Sequence, residues 1–530
     1  MAFNLIADYL LPSNPGEDLK VGAKMFSETG VITVLFVLGL MIIANIIRRK
    51  VPFIRKSLMP TAVIGGLLAL IIKETIRLIT NVNIFNENML TALVYHLLPV
   101  GFIALGLRDK GDFEEGAGAN TSKKYKGTAP FRTGGVIVGT YMFQAVIGLG
   151  LTILIGTLFF PNEPNALGIG ITFPLGFGQG PGQAMNAGSF FDGDTGSFWT
   201  NYGLIVAGLG FMWASIGGVI MLNLIARKRK IKLANEAKDG IGKAVTSATV
   251  EQADEIPLSV GIDKFTIQVC LVGAVYLLTW GVCVLLDFCL GFLGETGQGI
   301  ADVFWGFNFC FGIVIALIVK MILKRLRKDK LMTRRYPNTY MLNRIAGAAF
   351  DVMIICSLAA IEVFSMQEQW IPILIVSAVI GITTLFFLRF VCKKKYPEYS
   401  DESFVTMYGT LTGTLSNGII LLRELDPKFE TPAAMDQVIG STTALIFGLP
   451  LLFLIRMAVD SPFLVLGACA VYFVFLLWVI FGRFGWLSKI FKRKKKAVVE
   501  GDFEGGAETA DVAMQDSVAE NSAVDSGVDM

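Results

Sequence analysis

Long apolar segments recur along the whole chain and are separated by shorter polar stretches. A helix crosses the hydrocarbon core of a bilayer with about 20 mainly apolar residues. Segments of this kind occupy 29–47, 59–80, 89–107, 132–160, 199–225, 263–290, 299–324, 344–366, 370–391, 434–457 and 461–482. The pattern therefore predicts an all-α polytopic membrane protein with eleven transmembrane helices.

Two further stretches, 164–192 and 402–426, are too polar and too rich in glycine to face lipid. They come before the fifth and the tenth predicted spans. Non-helical backbone is tolerated at membrane depth where protein or a water-filled cavity surrounds it. We therefore interpret each stretch as a re-entrant hairpin, which enters and leaves the membrane on the same side. The alternative is that their small residues form packing surfaces between ordinary helices.

Basic residues indicate the orientation of the predicted spans, because cytoplasmic loops carry an excess of Lys and Arg. They cluster at Arg48–Lys50, Lys123–Lys126, Arg227–Lys232, Lys320–Arg335, Arg389–Lys395 and Arg483–Lys496. These clusters lie at alternate ends of successive spans, which places the N-terminus outside and the C-terminus in the cytoplasm. With this topology, 164–192 enters the membrane from the outside and 402–426 enters from the inside.

The predicted elements form two similar series, in 29–225 and 263–457. Each series contains four spans, a hairpin and a fifth span, and the odd number of spans inverts the second series relative to the first. Inverted repeats with interrupted helices near mid-membrane are a common plan of secondary transporters. The other predicted regions are an N-terminal periplasmic or interfacial segment 1–28, a cytoplasmic linker 226–262, an extra transmembrane helix 461–482 and a disordered, basic-then-acidic cytoplasmic tail 483–530.

Composition agrees with a protein that resides in a membrane. Hydrophobic residues make up 53% of the chain and charged residues 17%, whereas soluble domains carry about 25% charged residues. The net charge of +3 includes nine acidic and no basic residues in 500–530. The remaining positive charges lie between the apolar segments, so we interpret them as topology signals and expect no nucleic-acid partner. A single His, with no HExxH motif and no clustered acids in the spans, argues against an enzyme, and we expect no cofactor.

The two predicted hairpins carry the candidate binding chemistry. Glycine permits a sharp chain reversal and lets a ligand approach the backbone. Each reversal leaves N–H groups free at one helix end and C=O groups free at another, and these attract a carboxylate and a cation, respectively. Amide and hydroxyl side chains add hydrogen bonds without a fixed charge. The predicted substrate-binding residues are Gly178, Gln179, Gly180, Gln183, Asn186, Ser189, Thr412, Gly413, Thr414, Ser416 and Asn417.

One carboxylate lies well inside a predicted span, where its charge is costly and therefore points to function. This residue is Asp351, in the eighth span. We expect sodium as the coupling ion, with Asp351, Thr410 and Asn417 as its ligands. Alternatively, Asp351 forms an ion pair with Arg344 or extends its side chain to the membrane interface.

Two segments and the overall layout resemble a known family. The second span contains Pro60–Leu67 (PTAVIGGL), and the second hairpin continues through Asn417–Pro427 (NGIILLRELDP). With five spans and a hairpin occurring twice, the chain resembles the bacterial glutamate:sodium symporter (GltS) family, patchily across 30–457. The first hairpin has Gly178–Gly182 (GQGPG) where well-known glutamate carriers of that family have Gly-Gly-His-Gly-Thr.

The resemblance implies sodium-coupled uptake of an acidic amino acid by an elevator-like movement in a homodimer. We therefore predict a multi-pass protein of the bacterial inner membrane that transports glutamate or a related small carboxylate together with sodium. Its predicted partners are this small anion, sodium, the lipid bilayer and a second copy of the chain. The alternatives are an ion-coupled carrier of a different organic anion or amino acid, and a channel with re-entrant loops.

Overall fold

A computed structural model describes residues 28–108, 129–159, 164–230, 261–331, 336–426 and 431–482. Within these ranges the regular structure is entirely helical, and no strand occurs. The predicted N-terminal segment 1–28, linker 226–262 and tail 483–530 lie almost wholly outside the described residues. The prediction of an all-α protein is confirmed for the part of the chain that is described.

Seventeen α-helices form the described structure. They are α1 Glu28–Lys50, α2 Pro52–Lys56, α3 Thr61–Thr80, α4 Glu87–Leu107, α5 Ala129–Phe159, α6 Phe173–Gly178, α7 Pro181–Ser189, α8 Phe198–Arg229, α9 Gly261–Gly291, α10 Glu295–Gly306, α11 Asn308–Lys328, α12 Thr339–Ala360, α13 Trp370–Lys395, α14 Ser400–Thr412, α15 Leu415–Leu425, α16 Ala433–Asp460 and α17 Pro462–Phe481. Short 3-10 helices occupy Pro164–Thr172, Gly193–Thr195, Phe364–Met366 and Pro397–Tyr399.

Eight of the described helices are long and apolar enough to cross a membrane. They are α1, α4, α5, α8, α9, α12, α13 and α17. Helices α10 and α11 form a ninth such segment, bent by 68° at their junction. The other two predicted spans are also helical: α3 has 20 residues and includes Lys73, Glu74 and Arg77, and α16 has 28 residues. The protein is therefore a helical membrane protein, as its sequence predicts.

The helices pack as two bundles. In the first bundle, α4 and α12 lie against each other, α3 packs on α12, and α11 packs on α4; α1, α9 and α10 complete it. In the second bundle, α5 packs against α13, α16 and α17, and α8 packs against α6, α7 and α14. The bundles meet where α4, α10 and α12 contact α7, α8 and α16. Residues 361–369, between α12 and α13, are the described connection from one bundle to the other.

Two lysines occupy matching places in the first bundle. Lys73 is the thirteenth residue of α3, and Lys320 is the thirteenth residue of α11. Lys73 Nζ donates to the Ile361 carbonyl, 2.6 Å away, just beyond the end of α12. Lys320 Nζ donates to the carbonyls of Gly106 and Arg108 at the end of α4, over 3.0 and 2.9 Å. Lys73, in the first half of the chain, thus places a positive charge at the negative C-terminus of α12 in the second half. Lys320, in the second half, does the same for α4 in the first half.

Helices α4 and α12, whose C-termini these lysines contact, also begin alike. Asn86 caps α4 by accepting a hydrogen bond from the Met89 N–H over 3.1 Å. Asn338 caps α12 by accepting from the Met341 N–H over 2.9 Å. An N-cap amide satisfies one of the N–H groups that the first helical turn leaves free. Both ends of α4 and α12 are therefore held by equivalent groups.

Candidate functional site

The first glycine-rich stretch folds as two short helices, α6 and α7, separated by Gln179 and Gly180. Gly180 has a φ of 106°, a conformation that side chains rarely adopt, so this reversal requires glycine. Pro181 begins α7, where its missing N–H costs no helical hydrogen bond. Tyr141 of α5 donates its hydroxyl to the Gly178 carbonyl at 3.0 Å, which fixes the end of α6.

The second stretch also forms two short helices, α14 and α15, separated by Gly413 and Thr414. They pack closely: a Cβ at Gly418 would collide with Thr410 Oγ1 and the Thr406 carbonyl. Gln144 of α5 donates its amide to the Leu411 carbonyl over 3.0 Å. Since Tyr141 lies one turn away from Gln144, a single face of α5 holds both helix breaks.

An ion network fixes the other end of α14. Arg229, the last residue of α8, pairs with Glu402 over 2.5 Å and with Asp401 over 2.7 Å. Arg389 of α13 also pairs with Asp401. Both acidic residues lie in the first turn of α14, where negative charge is favourable. The helix pair α14–α15 is therefore anchored to two long helices of its own bundle.

A cavity of about 400 Å³, here called the central cavity, lies between the two helix breaks. The second bundle contributes residues of both short-helix pairs together with α5 and α16: Tyr141, Gly178, Gln179, Gln183, Thr410, Thr414, Ser416, Gln437 and Ser441. The first bundle contributes α4, α11 and α12: Phe102, Leu105, Phe309, Cys310, Asn343, Phe350 and Asp351. Mostly apolar walls with a few convergent polar groups are typical of small-molecule sites.

Two buried glutamines face the central cavity. Gln183 is 0% exposed and Gln437 is 1% exposed. Neither amide oxygen nor amide nitrogen of either residue has a hydrogen-bond partner among the described residues. Buried polar groups are nearly always hydrogen-bonded, and leaving one unpaired costs about 1–3 kcal/mol. These amides are thus available to a polar ligand in the cavity.

The electrostatics of the central cavity come from helix ends and one carboxylate. Both α7 and α15 begin at its wall, and the first-turn N–H groups of a helix have no partner within that helix. Such N-termini attract anions. Asp351 is the one carboxylate in the lining formed by described residues, and no Lys or Arg belongs to that lining. The arrangement can hold a small anion without a fixed positive charge.

Asp351 interacts electrostatically with Arg48, near the end of α1. Arg344, the alternative partner suggested by the sequence, lies over the Tyr340 ring, 5.1 Å from its centre. The Asp351 side chain remains part of the cavity wall. A bound cation could therefore reach this carboxylate.

Seven of the predicted site residues line the central cavity: Gly178, Gln179, Gln183, Asp351, Thr410, Thr414 and Ser416. Four others lie at the helix breaks but outside this lining: Gly180, Thr412, Gly413 and Asn417. Thr412 donates its hydroxyl to the Tyr408 carbonyl, and Thr410 donates to the Thr406 carbonyl. The predicted sodium ligands Asp351 and Thr410 share the cavity, whereas Asn417 is buried beside it.

Asn186 and Ser189 lie elsewhere. They line a second cavity of about 710 Å³, here called the polar cavity, together with residues of α4, α10 and α16. The Asn186 amide donates to the Gly306 carbonyl at the bend between α10 and α11. The structure therefore does not bring these two residues to the central cavity.

The two cavities lie toward opposite ends of the same helices. The central cavity contacts Leu105 near the C-terminus of α4 and Gln437 near the N-terminus of α16. The polar cavity contacts Asn88 near the N-terminus of α4 and Arg456 near the C-terminus of α16. Both cavities border the first short-helix pair at the contact between the bundles.

Sequence reasoning missed several lining residues, among them Tyr141, Asn343, Gln437 and Ser441. The available signal was a polar side chain within or beside an apolar span. Gln437, for example, follows Asp436 at the start of α16. An isolated uncharged polar residue on a long helix gives a weaker signal than a glycine-rich segment or a buried carboxylate does.

Comparison of the chain with family models, with curated proteins and with solved structures gives no match.

Proposed function

We propose that the protein is a secondary transporter that couples the uptake of glutamate or a related small carboxylate to sodium. The observation that carries this proposal is the central cavity, which both short-helix pairs and both bundles enclose. Helix breaks that meet within a membrane protein supply N–H groups for an anion and C=O groups for a cation. A carrier that moves both solutes together needs these two kinds of group in one place.

The short-helix pairs act as re-entrant hairpins in this proposal. Their helices have 6, 9, 13 and 11 residues, whereas a membrane-spanning helix needs about 20. Each break lies at the central cavity, where irregular backbone is tolerated. Two of these helices, α14 and α15, pack against each other along their length, as the arms of a hairpin do.

The two halves of the chain act as inverted repeats. Support comes from the order of elements, in which a short-helix pair precedes the final long helix of each half. The matched lysines Lys73 and Lys320 add contacts that cross between the halves in both directions. The matched caps Asn86 and Asn338 repeat the same local contact once in each half. A pseudo-two-fold relation between the halves explains why these contacts occur in pairs.

Substrate recognition follows from the groups that line the cavity. The N-termini of α7 and α15 bind carboxylate oxygens, and the amides of Gln183 and Gln437 complete the hydrogen bonding. Sodium binds beside Asp351 and the C-terminal carbonyls of the helix breaks. Importing an anion against an inside-negative potential costs about 2.3 kcal/mol per charge per 100 mV, so uptake requires coupling to a cation.

Alternating access occurs by movement of the second bundle relative to the first, in an elevator-like manner and within a homodimer. The central cavity lies toward the helix ends that carry Arg48–Lys50 and Lys393–Lys395, which the positive-inside rule assigns to the cytoplasm. On the opposite side, Asn186 contacts Gly306 across the bundles. In this proposal, the described conformation is inward-facing.

Uptake by purified protein in proteoliposomes tests the proposal. We expect saturable uptake of glutamate or another small carboxylate that requires an inward sodium gradient. Gln183→Ala abolishes this uptake, whereas Gln367→Ala, at an exposed glutamine between α12 and α13, leaves it unchanged. Absence of sodium stimulation across a panel of carboxylates and amino acids would contradict the coupling, and currents far above carrier turnover would indicate a channel.

A further inference from the structure

Three phenylalanine rings of the first bundle form part of the lining of the central cavity, here called the aromatic wall. Phe102 of α4 contacts the other two: its ring centre lies 5.0 Å from that of Phe309 on α11 and 5.4 Å from that of Phe350 on α12. All three residues line the cavity. Phe350 also packs over Gly101, where a Cβ would collide with its ring. Close packing of α4 against α12 therefore holds the wall in place.

The polar lining groups lie mainly on the second bundle. They include the unpaired amides of Gln183 and Gln437, together with the starts of α7 and α15. On the first bundle, Asn343 accepts a hydrogen bond from Arg108 over 2.6 Å, and Asp351 is the one carboxylate among the described lining residues. A ligand between the bundles therefore meets hydrogen-bonding groups on one bundle and aromatic rings on the other.

The central cavity has room for a carboxylate joined to a group of the size of an aromatic ring. Its volume is about 400 Å³, whereas an apolar cavity of about 150 Å³ is enough to hold benzene. Two glycines in the lining add space, since a Cβ at Gly347 of α12 or at Gly448 of α16 would meet no neighbouring group. Gly347 lies about one helical turn before Phe350, so part of this space adjoins the aromatic wall.

A second carboxylate on the ligand would be unfavourable in this cavity. Taking a charge out of water is costly unless a cation or several hydrogen-bond donors replace the water. No Lys or Arg belongs to the lining formed by the described residues, and Asp351 would repel another negative charge. An apolar group in the same place would bury its surface against the aromatic wall, which favours binding.

We propose that the central cavity selects a monocarboxylate with an apolar body, aromatic or branched, over a dicarboxylate such as glutamate or glutarate. The carboxylate binds to the second bundle, at the starts of α7 and α15 and at the amides of Gln183 and Gln437. The apolar body lies against the aromatic wall of the first bundle. This inference rests on the proposed function, because it names the substrate class of the same site.

Thermal unfolding of the purified protein with matched ligands tests the selectivity, because a ligand that binds the native state raises its Tm. The ligands 3-phenylpropionate and glutarate are both propionate chains, which end in a phenyl ring and in a second carboxylate, respectively. In sodium, we expect 3-phenylpropionate to raise the Tm at a concentration about 10-fold lower than glutarate or glutamate requires. The same measurement in potassium shows any general effect of an apolar acid.

Filling the space beside the aromatic wall provides a second readout. Gly347→Leu should raise the required concentration of 3-phenylpropionate by about 10-fold, and that of propionate by less, because propionate has no ring. Gly448→Leu fills the cavity from the other bundle and should give the same difference, so the test does not depend on the folding of one variant. The control is Gly39→Leu on α1, where a Cβ also meets open space but outside the lining. It keeps the wild-type responses.

The outcomes separate this inference from the proposed function. A stronger response to glutarate or glutamate than to 3-phenylpropionate would overturn the inference, while sodium-coupled transport of a carboxylate would still hold. Equal losses for 3-phenylpropionate and propionate in both cavity variants, or a response to 3-phenylpropionate that is the same in potassium, would also overturn it. If no carboxylate raised the Tm in sodium, both the proposed function and the inference would be contradicted.

Discussion

Individual side chains in the central cavity lower the stability of the empty protein but offer hydrogen-bonding groups to a ligand. Gln183 and Gln437 are buried with unpaired amides, whereas most polar groups in the core of the chain have partners. Asn201, for instance, donates to the Glu362 carbonyl and to Ser365, and its amide oxygen accepts from the Glu362 N–H. An unpaired buried amide lowers the stability of the empty protein. Its presence at the cavity is understandable if a ligand supplies the missing hydrogen bonds.

The opposing effects of an unpaired amide on stability and on ligand binding lead to a prediction for Gln437→Leu. The substitution removes the unpaired amide and retains a similar volume, so it stabilises the ligand-free protein by about 1 kcal/mol. It also removes a hydrogen-bonding group from the cavity, so carboxylate with sodium no longer raises the Tm. Thermal unfolding with and without ligand measures both effects, and Gln367→Leu at an exposed position serves as the control. A variant that is destabilised when empty, or that keeps the ligand response, would contradict this role.

At the scale of helices, the short-helix pairs and the lysine contacts define the architecture. The glycine-rich sequence correctly indicated interruptions at 164–192 and 402–426, and the breaks fall at Gln179–Gly180 and Gly413–Thr414. Hydrophobic length placed most long helices to within a few residues, because lipid requires a nearly continuous apolar run. The bend between α10 and α11 was not predicted, since 299–324 has no proline to mark it.

The matched lysines give a second prediction. Lys320 neutralises the C-terminal carbonyls of α4, and a cation at a helix C-terminus contributes up to about 2 kcal/mol in a partly buried setting. Lys320→Met should therefore lower the free energy of unfolding by about 1–2 kcal/mol. Chemical denaturation in detergent measures this change. The control is Lys328→Met, at an exposed lysine of the same helix, and equal effects of the two substitutions would show that the contact with α4 is unimportant.

At the scale of the whole molecule, the site arises from contacts between bundles that no local sequence pattern reports. Asn186 looked equivalent to Gln183 in the sequence, because both lie on α7 near the glycines. The structure separates them: Gln183 faces the central cavity and Asn186 faces the polar cavity. Likewise, Asn343 on α12 and Gln437 on α16 share the site only because the two bundles enclose the cavity between them. Tertiary packing, rather than composition, decides which polar residues share a cavity.

The buried contacts of Lys73 illustrate the same limit. Its partners, the Glu87 carboxylate and the Ile361 carbonyl, are separated by about half of the chain, and each stands near the end of a predicted span, where a polar group usually meets solvent. Packing of α3 against α12 brings them together around Lys73. A buried ionic group of this kind can be recognised only after the two halves are assembled.

The central claim is that both short-helix pairs enter and leave the membrane on one side, from opposite faces. Single cysteines at Thr157, Thr195, Glu398 and Arg423, all exposed and flanking the pairs, test it in a variant without the seven native cysteines. A membrane-impermeant maleimide added to intact cells should label the cysteines at 157 and 195. It should reach those at 398 and 423 only after the membrane is opened. Labelling of the two flanks of either pair from different sides would show that the stretch crosses the membrane, and would contradict the inverted repeats and the transport mechanism built on them.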